Sequence, residues 1–283
     1  MNKILVPYDF SDIATHALNF AADLCRKNDG CDVSLFHVIE GPTPDTIKTM
    51  GVSDYDPMEA IFVKKMIESA KGKMEDLMAD ETYKDISLSY KIVLGHPFKQ
   101  IAEEIKTSGI ELVIMGTSGA SGAQEFLVGS NAERMVRYSK CPVITLREAT
   151  SVEDIKTIAL ASNFHDVTDT FVKHVKRLQE AFGAELHLVK INTPLAFTTT
   201  REDKKQMERF VKQFELKNCT IDIYNHHNEE DGILGFSEDS KAGLVAIGTR
   251  QKKGIGHFLS GSIAEDVVNH SKVPVWTFGL DNA

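Results

Sequence analysis

Met115-Gly116-Thr117, Phe126-Leu127-Val128-Gly129-Ser130 and Lys140-Cys141-Pro142-Val143 return, in the same order, as Ile247-Gly248-Thr249, Phe258-Leu259-Ser260-Gly261-Ser262 and Lys272-Val273-Pro274-Val275. Ordered recurrence over so long a stretch is the mark of an internal repeat. Two fainter echoes extend it. Ile4-Leu5-Val6-Pro7-Tyr8-Asp9-Phe10-Ser11-Asp12 answers to Ala159-Leu160-Ala161-Ser162-Asn163-Phe164-His165-Asp166, and Leu35-Phe36-His37-Val38 answers to Leu188-Val189-Lys190-Ile191. The chain of 283 residues therefore reads as two copies of one domain, 1–149 and 150–283, meeting at a short polar stretch, 148–154.

Each copy alternates short apolar runs with longer amphipathic ones. In the first, residues 4–6, 33–38, 86–93, 112–115 and 143–146 are short, rich in β-branched residues and bounded by turn formers, the pattern of buried parallel strands. Between them, 14–26, 57–78, 98–107 and 130–139 carry apolar residues at helical spacing. Asp12 is the expected cap of the first helix, and Gly30 its stop signal. The second copy places strands near Ile158 and at 186–191, 220–224, 244–247 and 274–278. Such alternation predicts an α/β fold of two tandem doubly wound parallel sheets, and the short join predicts that the halves pack together.

Composition narrows the function. A 42% hydrophobic content supports a real core, and a net charge of −9 opposes general affinity for nucleic acid. No apolar run is long enough for a membrane span, and the start lacks a signal-peptide pattern. Cys25, Cys31, Cys141 and Cys219 form no Cys-x-x-Cys pair, so a cytoplasmic chain with reduced thiols is expected.

Ligands of open α/β sheets bind beyond the carboxyl ends of the strands. There the chain reads Gly116-Thr117-Ser118-Gly119-Ala120-Ser121-Gly122, then Gly129-Ser130 at the start of a helix. Glycines admit phosphate oxygens to backbone N–H groups, and a helix N-terminus favours anions. The same residues also suit a plain strand-to-helix loop with Ser130 as its cap. The sequence contains no Gly-x-x-x-x-Gly-Lys-Ser/Thr and no Gly-x-Ser-x-Gly, and Leu259 stands where a dinucleotide fingerprint begun at Gly254-x-Gly256 needs its third glycine.

The spacing Gly116-x2-Gly119-x9-Gly129-Ser130 resembles the ATP-binding signature of the universal stress protein family. The Ile-Leu-Val-Pro-x-Asp opening, Leu35-x-His37-Val38, Gly95-His96-Pro97 and Cys141-Pro142-Val143 share the likeness, closely in the first half and in degraded form in the second. The resemblance implies five-stranded sheets of the adenine nucleotide α-hydrolase-like kind, joined through their last strands as an intramolecular pseudo-dimer. It implies ATP, with Mg2+, in the first half. Asp9 would lie near ribose and phosphates, Val38 would meet adenine through its backbone, and Met115 would lie beside the ring. Gly116, Gly119, Gly129 and Ser130 would wrap the phosphates, with Pro7 and Asn131 completing the set. Ala132 departs from the Ser or Thr often found there, which removes one phosphate contact. For Asp9 the residue-level alternative is a turn-capping carboxylate.

In the second half Asn163, His165, Ile191 and Gln251 replace Asp9, Ser11, Val38 and Gly119. Loss of the signature there is expected, the Arg250-Gln251-Lys252-Lys253 loop being either an anion grip or merely solvated. His165, His226 and His257 are expected at the same edge, as candidates for a metal or a small polar ligand. His37 and Lys190 lie within strands and read as structural. No nucleophile–base pair stands out, so a dedicated enzyme is not expected, although slow ATP hydrolysis needs only an oriented water. The expected function is stress-response regulation by a nucleotide-bound first half that acts on an unidentified protein partner, with further homo-oligomerisation open. The alternatives are a scaffold that binds no nucleotide and a protein using the His-containing second pocket.

Overall fold

The computed structural model describes residues 1–40, 57–117, 129–165, 167–249 and 263–280. The first half runs β1 (Lys3–Pro7), α1 (Asp12–Lys27), β2 (Asp32–Ile39), α2 (Pro57–Met78), β3 (Ser87–Leu94), α3 (Pro97–Ser108), β4 (Leu112–Gly116), α4 (Ser130–Tyr138) and β5 (Val143–Leu146). The second repeats that order as β6 (Thr157–Ala161), α5 (Asp169–Phe182), β7 (Glu185–Asn192), α6 (Thr200–Gln213), β8 (Cys219–Asn225), α7 (Glu229–Asp239), β9 (Leu244–Thr249), α8 (Ile263–His270) and β10 (Val275–Gly279). Among the described residues no helix is long and apolar enough to cross a membrane.

The described strands form one ten-stranded sheet, ordered β3-β2-β1-β4-β5-β10-β9-β6-β7-β8. Within each half all neighbours are parallel. The one junction between halves, β5 with β10, is antiparallel: Val143 faces Thr277, Ile144 faces Trp276 and Thr145 faces Val275. The repeat relates Val143, Ile144 and Thr145 to Val275, Trp276 and Thr277. Ile144 therefore meets its own counterpart, and the outer two pairs exchange partners, as an isologous two-fold contact requires. The expected pairing through the last strands is thus present, and it fuses the two sheets into one.

Strand residues alternate between two buried faces, as parallel strands covered on both sides must. Ile4 and Val6 point into one core and Leu5 into another. Helices α1, α2, α5 and α6 cover the first face. There one continuous core runs through both halves, from Phe20 and Ile144 to Trp276 and Phe182. Helices α3 and α4 cover the opposite face of the first half, and α7 and α8 that of the second, over two cores, with Val136 of α4 packed in the second of them. On that side α4 and α8 are linked by the Arg137–Glu265 ion pair at 2.7 Å, and Arg147, just after β5, donates to the Asn269 carbonyl in the last turn of α8.

Two expectations are corrected. Ser11, not Asp12, caps α1: Ser11 is extended and its hydroxyl accepts from the Ala14 N–H, whereas Asp12 is already helical and sits in the first turn. Cys25 and Cys31 are not separate thiols. The chain reverses between α1 and β2, which brings their Cα atoms to 5.1 Å, and a disulfide joins them. Cys141 and Cys219 remain free.

Trp276, the chain's one tryptophan, is fully buried at the junction, with its ring edge-on to Phe171. Trp276→Ala should cost about 3–5 kcal/mol in urea denaturation, and indole emission of the native protein should shift to the red as the junction opens. Glu104 gives a second test. Burial would raise its carboxyl, but hydrogen bonds from Lys91 and Ser108 outweigh burial and hold it below the ordinary glutamate value. A lowered carboxyl stabilises the fold above the ordinary range, and that contribution is lost as the pH falls through the folded value. The stability gap between the native protein and Glu104→Gln should therefore be full at about pH 7 and shrink towards about pH 3.

Candidate functional site

In each half the first strand lies between the second and fourth, β1 between β2 and β4 and β6 between β7 and β9. The chain changes direction along the sheet there, so the strand ends splay into a crevice. In the first half the β1–β2 ladder ends at Pro7 opposite Phe36, with a last bond from the Tyr8 N–H to the Phe36 carbonyl at 3.0 Å. The exposed Asp9 then turns the chain: its Oδ1 accepts from the Ser11 N–H at 3.1 Å and from the Ser11 hydroxyl at 2.5 Å. This is an Asx turn, so the turn-capping role of Asp9 is real. Phe10 adopts a left-handed φ of 66° and sets its ring 4.8 Å from that of His37. His37 Nδ1 donates to the Tyr8 carbonyl at 2.7 Å, which makes the histidine structural, as expected.

That turn has a consequence for Val38. Main-chain groups alternate in direction along a strand, so the N–H and C=O of Val38 face the same side as those of Phe36. Phe36 meets β1; Val38 lies past its end. An unladdered backbone edge is thereby turned towards the crevice. The Val38 side chain is half-buried and packs on the cluster that contains the buried Met115. Pro7, Asp9, Val38 and Met115 thus stand at neighbouring strand ends.

The glycines divide by role. A Cβ on Gly116 would lie 2.6 Å from Cγ1 of Ile13, so this glycine is demanded by the close approach of α1 to β4. Gly129 has an ordinary φ of −57° at the N-cap of α4, and its N–H donates to the Thr117 carbonyl at 2.5 Å. Its amide is already engaged. Ser130 is not a cap but the first helical residue, exposed, and α4 has no side-chain cap. The first-turn amides of Ser130, Asn131 and Ala132 consequently have no acceptor within the helix. Gly119 lies outside the described residues.

Arg134, which sequence reasoning passed over, follows on α4 and donates to His96 Nε2 at 3.0 Å. It places a cation one turn from that helix end. Ile13 was missed as well, because nothing in the spacing of Gly116 and Ile13 announces their contact.

The second crevice keeps the frame and changes the lining. Asn163 makes the same turn, accepting from the His165 N–H at 3.1 Å, and Phe164 repeats the left-handed φ at 57°. The Phe164 carbonyl accepts from Gln206 at 2.9 Å. Lys190, buried where the first half has His37, pairs with the buried Asp203 and donates to Thr198 at 2.5 Å. Asn192 accepts from the Thr198 N–H and donates to Asn225, each within 3.1 Å. These bonds pin the segment from β7 to α6 across the strand ends. Arg250, Gln251, Lys252, Lys253, His257, Gly261 and Ser262 lie outside the described residues. His165 is exposed after β6, and His226 lies after β8, against the ring of His227, with β7 between the two strands. Among the described residues no group of three or more His, Cys, Asp or Glu is arranged to hold a metal ion.

Comparison with known proteins gives this geometry a family. The profile of the Universal stress protein family matches residues 1–147 and again 154–278. Universal stress protein MJ0577 of Methanocaldococcus jannaschii is 30% identical over 159 residues, 53% of this chain and 96% of its own. Universal stress protein YxiE of Bacillus subtilis is 29% identical over 157 residues, 52% of this chain and 99% of its own. Each of these relatives thus has the length of about one half. A solved universal stress protein from Archaeoglobus fulgidus matches in fold with a TM-score of 0.75 at 21% identity, covering 98% of both chains. Repeat, strand order, junction and profile agree: this chain belongs to the universal stress protein family, with two family domains in tandem.

Proposed function

We propose that the chain is a stress-response regulator that holds one adenine nucleotide, ATP with Mg2+, in the first-half crevice. The observation that carries this reading is the N-terminus of α4, the next described element after β4, which has no side-chain cap from Gly129 and whose Ser130, Asn131 and Ala132 amides suit an anion. The backbone edge of Val38 suits the hydrogen-bonding rim of a purine, and Met115 offers an apolar wall. Resemblance of the 116–130 segment to the family's ATP signature adds support. The role is binding rather than turnover, with the occupied crevice read by a protein partner. The pinned second half supplies the platform on which the first is mounted.

A scaffold without nucleotide is the second reading. It is favoured by the engaged Gly129 amide and by Ala132, each of which subtracts a phosphate contact.

Calorimetry on the full chain should give about one ATP bound per chain, with ADP and AMP titrated alongside to rank the phosphates. Ser130→Asp puts a carboxylate at a position the helix dipole favours, so the fold should be kept while ATP heat is lost. No heat from the native protein at millimolar ATP with Mg2+ overturns the nucleotide reading and leaves the scaffold. Gly116→Ala separates packing from binding. It should lower stability by about 1–3 kcal/mol in urea denaturation, and Ile13→Ala in the same chain should recover part of that loss.

A further inference from the structure

The hinge between α1 and β2 is closed by chemistry that nucleotide binding does not use. Cys25 is buried in the last turn of α1, Cys31 is half-buried just before β2, and the disulfide between them encloses residues 26–30. These residues touch three other parts of the molecule. Arg26 bonds Asp85 at 2.8 Å and the Thr82 carbonyl at 2.5 Å. Lys27 pairs at 3.1 Å with Glu153, in the join between the halves. Asn28 donates to the Ala181 carbonyl at 3.0 Å, at the end of α5 in the second half. The reversal itself needs two left-handed residues, Asp29 at φ 58° and Gly30 at φ 106°. Aspartate tolerates that region and glycine enters it freely, so the reversal is set by these residues and brings the two cysteines together.

The bond is poorly suited to be a structural staple. A loop this short removes little freedom from the unfolded chain, and the face on which it lies already has a continuous core. Cys31 is only half-buried. The free cysteines differ: burial pushes the Cys141 thiol up to about 11 and raises that of Cys219, which makes both poor nucleophiles.

We propose that Cys25 and Cys31 form a reversible thiol–disulfide switch, oxidised by hydroperoxides, that tightens the docking of the first half on the second through Lys27 and Asn28. Starting from two thiols, the Cys31 thiolate attacks the terminal oxygen of ROOH. An S–O bond forms, the O–O bond breaks, and the leaving alkoxide takes a proton to become ROH. The Cys25 sulfur then attacks the Cys31 sulfenic acid. The S–S bond forms, the S–O bond breaks, and the departing hydroxide leaves as water with the Cys25 proton. Two thiols have lost two electrons, and the peroxide has gained them. A dithiol reverses the change by exchange through a mixed disulfide.

The test uses the full chain, reduced with dithiothreitol, freed of reductant and treated with hydrogen peroxide. Alkylation with mass spectrometry should show two of the four thiols lost, recovered as one linked peptide joining Cys25 to Cys31, and restored by dithiothreitol. Hydrogen exchange at residues 26–30 and 181–184 should slow by roughly tenfold on oxidation. The Cys31→Ser variant should hold the faster exchange in both conditions. Four alkylatable thiols after peroxide, a sulfenic or sulfinic Cys31 without the link, or equal exchange in the two redox states would each overturn the proposal.

Discussion

Pairing of β5 with β10 is the contact on which the whole arrangement rests. Without it each half ends in an open strand whose main-chain groups face water, or another chain. With it, Ile144 and Trp276 meet at the approximate two-fold axis, and the strand edges satisfy one another. The antiparallel sense follows from joining two parallel sheets at the same strand by a rotation. Contacts that cross between the halves lie on both faces beside this line, among them the shared core on one and the Arg137–Glu265 pair on the other.

Duplication kept the frame of the crevice and released its lining. The turn after the first strand is the same in both halves, down to the left-handed phenylalanine, because an Asx residue and a ring packed beneath it suffice to build it. Beyond the turn the halves diverge. The first retains an exposed carboxylate and a histidine tied to the main chain. The second has replaced them with an amide and with a buried Lys190–Asp203 pair that fastens the neighbouring segment. A buried ion pair of this kind adds definition more readily than stability, and here it fixes the segment between β7 and α6.

Much of this was legible in the sequence. The strand 143–146 has the boundaries expected of it, and the others differ by a residue or so, because short β-branched runs between turn formers have few other options. The repeat announced two domains, and the family resemblance implied their junction through the last strands. What stayed hidden depends on contacts between residues remote in sequence, or on dihedral angles. Ser11 and Asp12 are both competent caps, and only the backbone conformation chooses between them. Gly116 looked like a phosphate residue, and its Ile13 contact emerges only when α1 docks on the sheet. A separation of six residues does not by itself bring Cys25 to Cys31; the reversal at Asp29 and Gly30 does. Gly129 carries the right residue type in the right place, yet its amide is turned to Thr117.

Apolar packing crosses the axis on both faces of the sheet, to different extents. On the α1–α5 side apolar packing is continuous across the axis, like a plate bonded along its full width. On the α4–α8 side one residue of the first half, Val136 on α4, joins the core of the second, beside the Arg137–Glu265 pair and the hydrogen bond from Arg147 to Asn269. Helix α4 is shared between the halves, with Ala132 and Met135 in the core of the first and Val136 in that of the second, so a load placed on this helix is borne by both.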